Sequence, residues 1–398
     1  SVVRLLQLWG PSLCASFIIN NKNGRLLPSD IEFLWKKGIP KNVIGIFSVF
    51  FHIIPSFVRD KCSNIMNIVF VSLVAIIFII WICSAMYLKK TAKLPDGLVV
   101  FINIALTSFI TIISPIMLNL SGEAISREIW GGENNNNDDF GLVGTIVISI
   151  LAILASFIIF MTFKILLCVS LIFRPFSLQA ILPKPQNEIN FSTYLVTFIM
   201  AIASQLSKVP KLALMVVSIA VYAFSIRVPF IPGTIINLNY RKAFLAASMS
   251  SIINIIIFAV FIILDKQSTQ AILFVLIAIY VICFFISHFI IQKFISNKLL
   301  LLDQIIDDKT IIDSSVPTAN KMAGLICTSM QYAHPTMNDW ELFKVATDKW
   351  PDSATIWMLY AKFVAIYPDE TNILAYIVRS IVSHNLKGFT IKQMVAQT

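Results

Sequence analysis

Apolar runs of membrane length, broken by short polar segments, fill positions 43–295; beyond them the pattern changes to single helical faces. The run 271–295 is interrupted only by Ser287, His288, Gln292 and Lys293. That is about the length a helix needs to cross the ~30 Å hydrocarbon core of a bilayer. Similar runs predict spans at 65–88, 98–120, 142–163, 191–206, 212–228 and 243–264. Residues 43–58 are shorter and contain His52 and Pro55; they are read as a span because the topology then closes with an even count. Pro115 inside 98–120 is compatible with a membrane helix, where neighbours re-satisfy the freed carbonyl. The pattern predicts an all-α protein: a polytopic membrane helix bundle of about eight spans, followed by a short cytoplasmic α-solenoid-like helical module.

The polar interruptions divide by charge. Residues 1–42 are basic and are read as a cytoplasmic or interfacial segment. Residues 121–141 carry Glu123, Glu128, Glu133, Asp138 and Asp139 around an Asn run, and predict a flexible loop on the outside face. Pro183 and Pro185 mark 176–190 as a loop, and Pro210 marks 207–211 as a turn. Pro229, Pro232 and Gly233 exclude a regular helix over 229–233, and Arg241 with Lys242 closes that loop. Lys89, Lys90 and Lys93 hold one end of the 65–88 span in the cytoplasm under the positive-inside rule. Alternation from there returns the chain after 271–295 to the cytoplasm, and the membrane is expected to be the plasma membrane.

Composition agrees with the pattern. The 398 residues are 57% hydrophobic and 13% charged, where soluble domains carry about 25% charged residues. Mean hydropathy is +0.82. The net charge of +10 is read as cytoplasmic loops facing anionic lipid, with no nucleic-acid partner. Of the six cysteines no two form C-x-x-C; Cys83, Cys168 and Cys283 fall inside apolar runs and are read as small buried hydrophobes. Ser1 stands where a start methionine would, and no signal peptide is visible.

After a stalk at 296–316, residues 317–398 show a repeat. His334-Pro335, Trp350-Pro351 and Tyr367-Pro368 recur about every 17 residues. The apolar positions Ile356, Trp357, Tyr360, Ala361 and Val364 return at Ile373, Leu374, Ile377, Val378 and Ile381. Each set follows one helical face, and each Pro sits where a helix can begin. The period is half of the ~34-residue tetratricopeptide repeat. Trp357 and Tyr360 are expected to be buried against Leu374 and Ile377. With so few copies before Thr398, the natural chain is expected to continue.

Candidate chemistry is sparse. Asn103 and Asn254 are read as hydrogen-bond partners between helices, and His288 as a bundle histidine. Lys164 lies at a span end. The scarcity of ionisable groups within the spans argues against ion coupling. Asp307, Asp308 and Asp313 are read as solvated helix-end charges, and Trp340, Trp350, Trp357 and Tyr360 as solenoid core in place of an aromatic cage. No phosphate-loop, zinc-protease or serine-hydrolase motif occurs. No catalytic, cofactor-binding or metal residue is assigned, and no cofactor.

The run Trp357-Met-Leu-Tyr360-Ala-Lys-Phe-Val-Ala-Ile-Tyr367-Pro368-Asp-Glu, following an Ile- and Phe-rich multi-span region, resembles the N-terminal part of the receptor-type adenylate/guanylate cyclases of trichomonad protists. The Pro229–Gly233 loop and the Ile54-Pro55 turn are similar too. The resemblance implies anchoring or sensing by the bundle, and relay to a cytoplasmic class III cyclase domain that lies downstream of this chain. It implies a homodimer, because such catalytic domains work in pairs. The other readings are a channel or transporter with a regulatory repeat module, and a membrane scaffold recruiting proteins through the helices from Trp340 to Ser383.

Overall fold

The computed structural model describes residues 2–19, 56–91, 110–130, 141–166, 183–203, 206–230, 238–264, 270–308, 311–332 and 341–353, with further positions between 95 and 105, at 334 and up to 363. Among them all regular structure is helical. The helices are α1 (Val2–Ile19), α2 (Ser56–Thr91), α3 (Ile110–Trp130), α4 (Gly141–Leu166), α5 (Pro183–Ala203), α6 (Lys208–Ile226), α7 (Leu238–Ile263), α8 (Gln270–Asp307), α9 (Ile311–Ser315), α10 (Ala319–Gln331) and α11 (Glu341–Lys349).

Five segments among the described residues are long and apolar enough to cross a bilayer: Asn64–Tyr87, Gly141–Met161, Lys208–Phe230, Leu238–Ile263 and Phe274–Ile305. Lipid is therefore the environment this chain is built for. Five of the eight expected spans are met among the described residues, at 65–88, 142–163, 212–228, 243–264 and 271–295. The run 191–206 becomes the shorter apolar helix Asn190–Ala203. The 98–120 run is described as helix only from Ile110, and α3 continues through the polar residues Ser121–Trp130. Most of 43–58, with His52, lies outside the described residues, as do Asn103 and the Asn run at 134–137.

Ser121–Trp130 is therefore helix where a loop is expected. The physical reason is that its polar groups are satisfied within the fold. The Ser121 hydroxyl donates to Met117 O (2.7 Å), one turn back on its own helix. Ser126 Oγ donates to Ile202 O on α5 (2.8 Å). Gly122 lets the two helices close: a Cβ there would stand 2.8 Å from Ala201 Cβ. Prolines explain the other shifts. α5 begins at Pro183 and α6 at Lys208, so Pro183, Pro185 and Pro210 occupy first turns, where the missing N–H costs no helical bond. Pro229 sits in a single 3-10 turn, Val228–Phe230.

The chain forms two compact units. Unit 1 comprises residues 1–163, 188–226 and 243–285; unit 2 comprises 164–187, 227–242 and 286–398. In unit 1 the helices bury Leu8, Ile116, Met117, Tyr222, Phe244 and Phe258 together with many small and hydroxylic residues. On α4, Thr145, Ser149, Ala152, Ala155, Ser156 and Ile159 are buried along one face, while Val143, Val147, Ile150, Leu154 and Phe157 are exposed. The stretch read as interfacial begins with α1, whose Gln7–Leu13 are buried in this unit. Tyr222 donates its hydroxyl proton to Leu8 O (2.7 Å), Gln7 Nε2 donates to Ile112 O (3.3 Å), and Trp9 packs on Tyr280 with ring centroids 4.6 Å apart.

Unit 2 contains a core of apolar and aromatic side chains. Leu302 and Ile305 of α8, Ile312 of α9, Met322, Leu325 and Ile326 of α10, and Leu342, Phe343 and Ala346 of α11 are buried together with Ile356, Trp357, Leu359, Tyr360 and Phe363. Thr318 caps α10 by accepting from Lys321 N. Phe343 stacks on Tyr360 at 4.8 Å and lies 5.0 Å from Phe363. Trp357 and Tyr360 are 2% and 3% exposed, and Trp357 Nε1 donates to Pro351 O at 2.7 Å. The stacking partner of Tyr360 is thus Phe343 of the preceding helix, and the Trp357 ring centroid lies 6.4 Å from that of Tyr360. Leu374, Ile377 and the rest of the second repeat copy lie outside the described residues.

Candidate functional site

The interior of unit 1 is a polar seam. Asn64 Nδ2 on α2 donates to Thr145 Oγ1 on α4 (2.8 Å), and Asn67 Nδ2 donates to Ser121 Oγ on α3 (3.4 Å). Asn254 Nδ2 on α7 donates to Ser12 Oγ on α1 (3.3 Å), and the Ser225 and Ser248 hydroxyls share a hydrogen bond at 3.0 Å. Several other hydroxyls bond back to their own helix, as Ser156 does to Ala152 O and Ser218 to Leu214 O. Asn254 therefore ties helices together, as read from the sequence. The acceptor oxygens of Asn64, Asn67 and Asn254, and the hydroxyls of Ser149, Ser192 and Ser251, are buried without a hydrogen-bond partner among the described residues.

The sequence-stressed residues spread over the fold. His288 is half-buried; Cys283 is buried as expected, but Cys83 is exposed against expectation, and Cys168 lies outside the described residues. Long apolar side chains on a lipid-facing surface explain the exposed Cys83: Ile79, Ile82 and Met86 beside it are exposed as well. Asp308 is exposed. Trp350 packs against the unit 2 core, and Trp340 lies outside the described residues. Among the described residues no three His, Cys, Asp or Glu side chains gather in a metal-binding group.

A second cluster, in unit 2, was not singled out by the sequence. Arg241 and Lys242 on the first turns of α7 are 6% and 4% exposed. Arg241 Nε donates to Pro229 O in the 3-10 turn. Its guanidinium carbon lies 5.8 Å from the centre of the Phe294 ring, and the Lys298 ammonium lies 4.6 Å from the same centre. Phe230 meets Phe294 edge-on at 5.2 Å. Tyr332 at the end of α10 feels the Arg241 charge; burial pushes its phenol above the usual range, and the guanidinium opposes that shift. The sequence shows these cations, but as loop charges that set topology. Only the fold reveals that they are covered. Nearby, His334 Nε2 and Asp303 Oδ1 are 3.0 Å apart.

Compared with protein-family models, with curated proteins and with solved structures, the chain matches none.

Proposed function

We propose that this chain is the membrane-anchoring and signal-relaying region of a receptor-type nucleotidyl cyclase, acting on a cytoplasmic catalytic domain downstream. The observation that supports a relay is α8. Its 38 residues make one unbroken helix, about 57 Å long at ~1.5 Å per residue. Such a helix is longer than a ~30 Å bilayer core requires. Its first part exposes Phe274, Ile282, Phe285 and Phe289, and its last turns supply Leu302 and Ile305 to the aromatic core of unit 2. One helix thus carries both an exposed apolar surface and part of that core, which is what a relay requires. The cyclase itself, the homodimer and the plasma membrane rest on the resemblance in the Trp357–Glu370 run. The test is the reading frame after Thr398, which is expected to encode a class III cyclase domain. A frame that continues into a different domain overturns the cyclase reading and leaves the relay.

The side of the membrane is tested separately. A single cysteine at Ser353, in a background without native cysteines, is expected to react with an impermeant thiol reagent only after permeabilisation. Reaction in intact cells places the module outside and removes a cytoplasmic catalyst from its reach.

One observation favours a transporter as the second reading. The partnerless buried oxygens of Asn64, Asn67, Ser149, Ser192, Ser251 and Asn254 each cost about 1–3 kcal/mol unless water or a polar solute meets them. Flux of a polar solute into proteoliposomes of the purified chain would establish that reading.

A further inference from the structure

We infer that Arg241, Lys242 and Lys298 form a binding site for the phosphomonoester headgroup of an anionic lipid. The inference is independent of the cyclase reading.

It starts from a charge imbalance. Arg241 and Lys242 are more than nine-tenths buried, and Lys298 is partly covered. Arg241 and Lys298 lie against one aromatic ring and repel one another. Among the described residues no carboxylate pairs with any of the three. Asp303, on the same helix as Lys298, is engaged by His334 and has 61% of its side-chain surface exposed. Buried charges are ordinarily paired, because desolvation without a counter-charge is expensive. Cation–π contact with Phe294 offsets part of that cost, at about 2 kcal/mol for a desolvated pair. It supplies no negative charge. A ligand carrying about two negative charges completes the cluster.

The position selects the ligand. Val228–Phe230 closes one candidate span, Leu238–Lys242 opens a second, and Phe294–Lys298 lies in the last turns of a third. Ends of membrane helices lie at the depth of lipid headgroups, and basic pockets between them bind phosphorylated headgroups. Arg241 presents its remaining guanidinium N–H donors to phosphate oxygens, because its Nε is committed to Pro229 O. A phosphomonoester carries roughly −1.5 to −2 charge near neutral pH and so matches the cluster better than a phosphodiester.

The experiment uses the full chain purified in detergent and then reconstituted in phosphatidylcholine nanodiscs, with and without phosphatidic acid. Native mass spectrometry and radiolabelled lipid retention give the readouts. Phosphatidic acid is expected to be retained in preference to phosphatidylcholine. Lys298→Met keeps the apolar stem over Phe294 and should weaken retention about fivefold, the contribution of one cation at an anionic surface. Lys242→Gln should do the same and serves if Lys298→Met fails to fold. Lys293→Gln, at an exposed position one turn away, should change retention less. Equal retention of the two lipids, or undiminished retention in Lys298→Met and Lys242→Gln, overturns the site. If inorganic phosphate at millimolar concentration protects the solubilised protein from heat as well as phosphatidic acid does, the ligand is a soluble phosphate and the lipid assignment falls.

Discussion

Unit 1 and the helical core of unit 2 differ in what accompanies their buried apolar side chains: unit 1 interleaves Leu8, Ile116, Met215, Tyr222, Phe244 and Phe258 with many buried Ser, Thr and Asn, and the unit 2 core is mostly apolar. In unit 1 the large side chains Ile79, Leu154 and Phe285 are exposed, and the buried face of α4 is mostly Thr, Ser and Ala. In unit 2 Met322, Phe343, Trp357 and Tyr360 are inside, and Lys321, Asp308 and Asp352 are exposed or partly exposed. The difference follows from the solvent. Lipid tails are as apolar as leucine, so burying leucine between membrane helices gains little, and association depends on close packing and hydrogen bonds. In water, burying an apolar side chain contributes roughly 25 cal/mol per Å². Unit 1 therefore adds hydroxyl and amide contacts between its helices to its buried apolar side chains, and the unit 2 core carries fewer of them.

The largest way to break this contrast is to cut an aromatic from the unit 2 core. Trp357→Ala should destabilise that core by about 3–5 kcal/mol. Denaturant unfolding followed by the remaining tryptophans measures it. A loss below about 1 kcal/mol would mean that Trp357 is not core.

Next in size is overpacking of unit 1. Gly122→Val places a branched side chain where even a Cβ meets Ala201 at 2.8 Å and Phe198 O at 3.2 Å. A cost of about 1–3 kcal/mol is expected, read as a lower temperature of aggregation in detergent. An unchanged temperature would remove the close α3–α5 contact from the account.

The smallest effect sharpens the comparison. Tyr222→Phe removes the hydroxyl bond to Leu8 O. Hydrogen bonds between membrane helices average about 0.6 kcal/mol, so the change should be slight although the group is fully buried. A loss of several kcal/mol would show that the unit 1 seam behaves like a water-soluble core.

The long apolar spans were legible in the sequence because lipid exposure leaves whole runs apolar. The burial of Trp357 and Tyr360 was legible from their spacing on one helical face. Ser121–Trp130 was not, because a polar stretch reads as a loop unless its bonds to Met117 O and Ile202 O are known. Pro183, Pro185 and Pro210 misled in the same way: a proline that ends one helix and a proline that opens the next look alike in sequence. The basic cluster was hidden for a different reason. Arg241 and Lys298 are far apart in the chain, and only Phe294 and Pro229 bring them to one place.

The central claim is that α8 passes from lipid into water as one helix. Nitroxide labels placed singly at Ile282, Phe289, Lys293 and Asn297 in nanodiscs test it through collision with oxygen and with a water-soluble nickel complex. The account predicts oxygen-dominated contact at Ile282 and Phe289, where the exposed side chains are apolar, and nickel-dominated contact at Lys293 and Asn297. Nickel access at Ile282 equal to that at Asn297 would contradict it, because the whole helix would then lie in water.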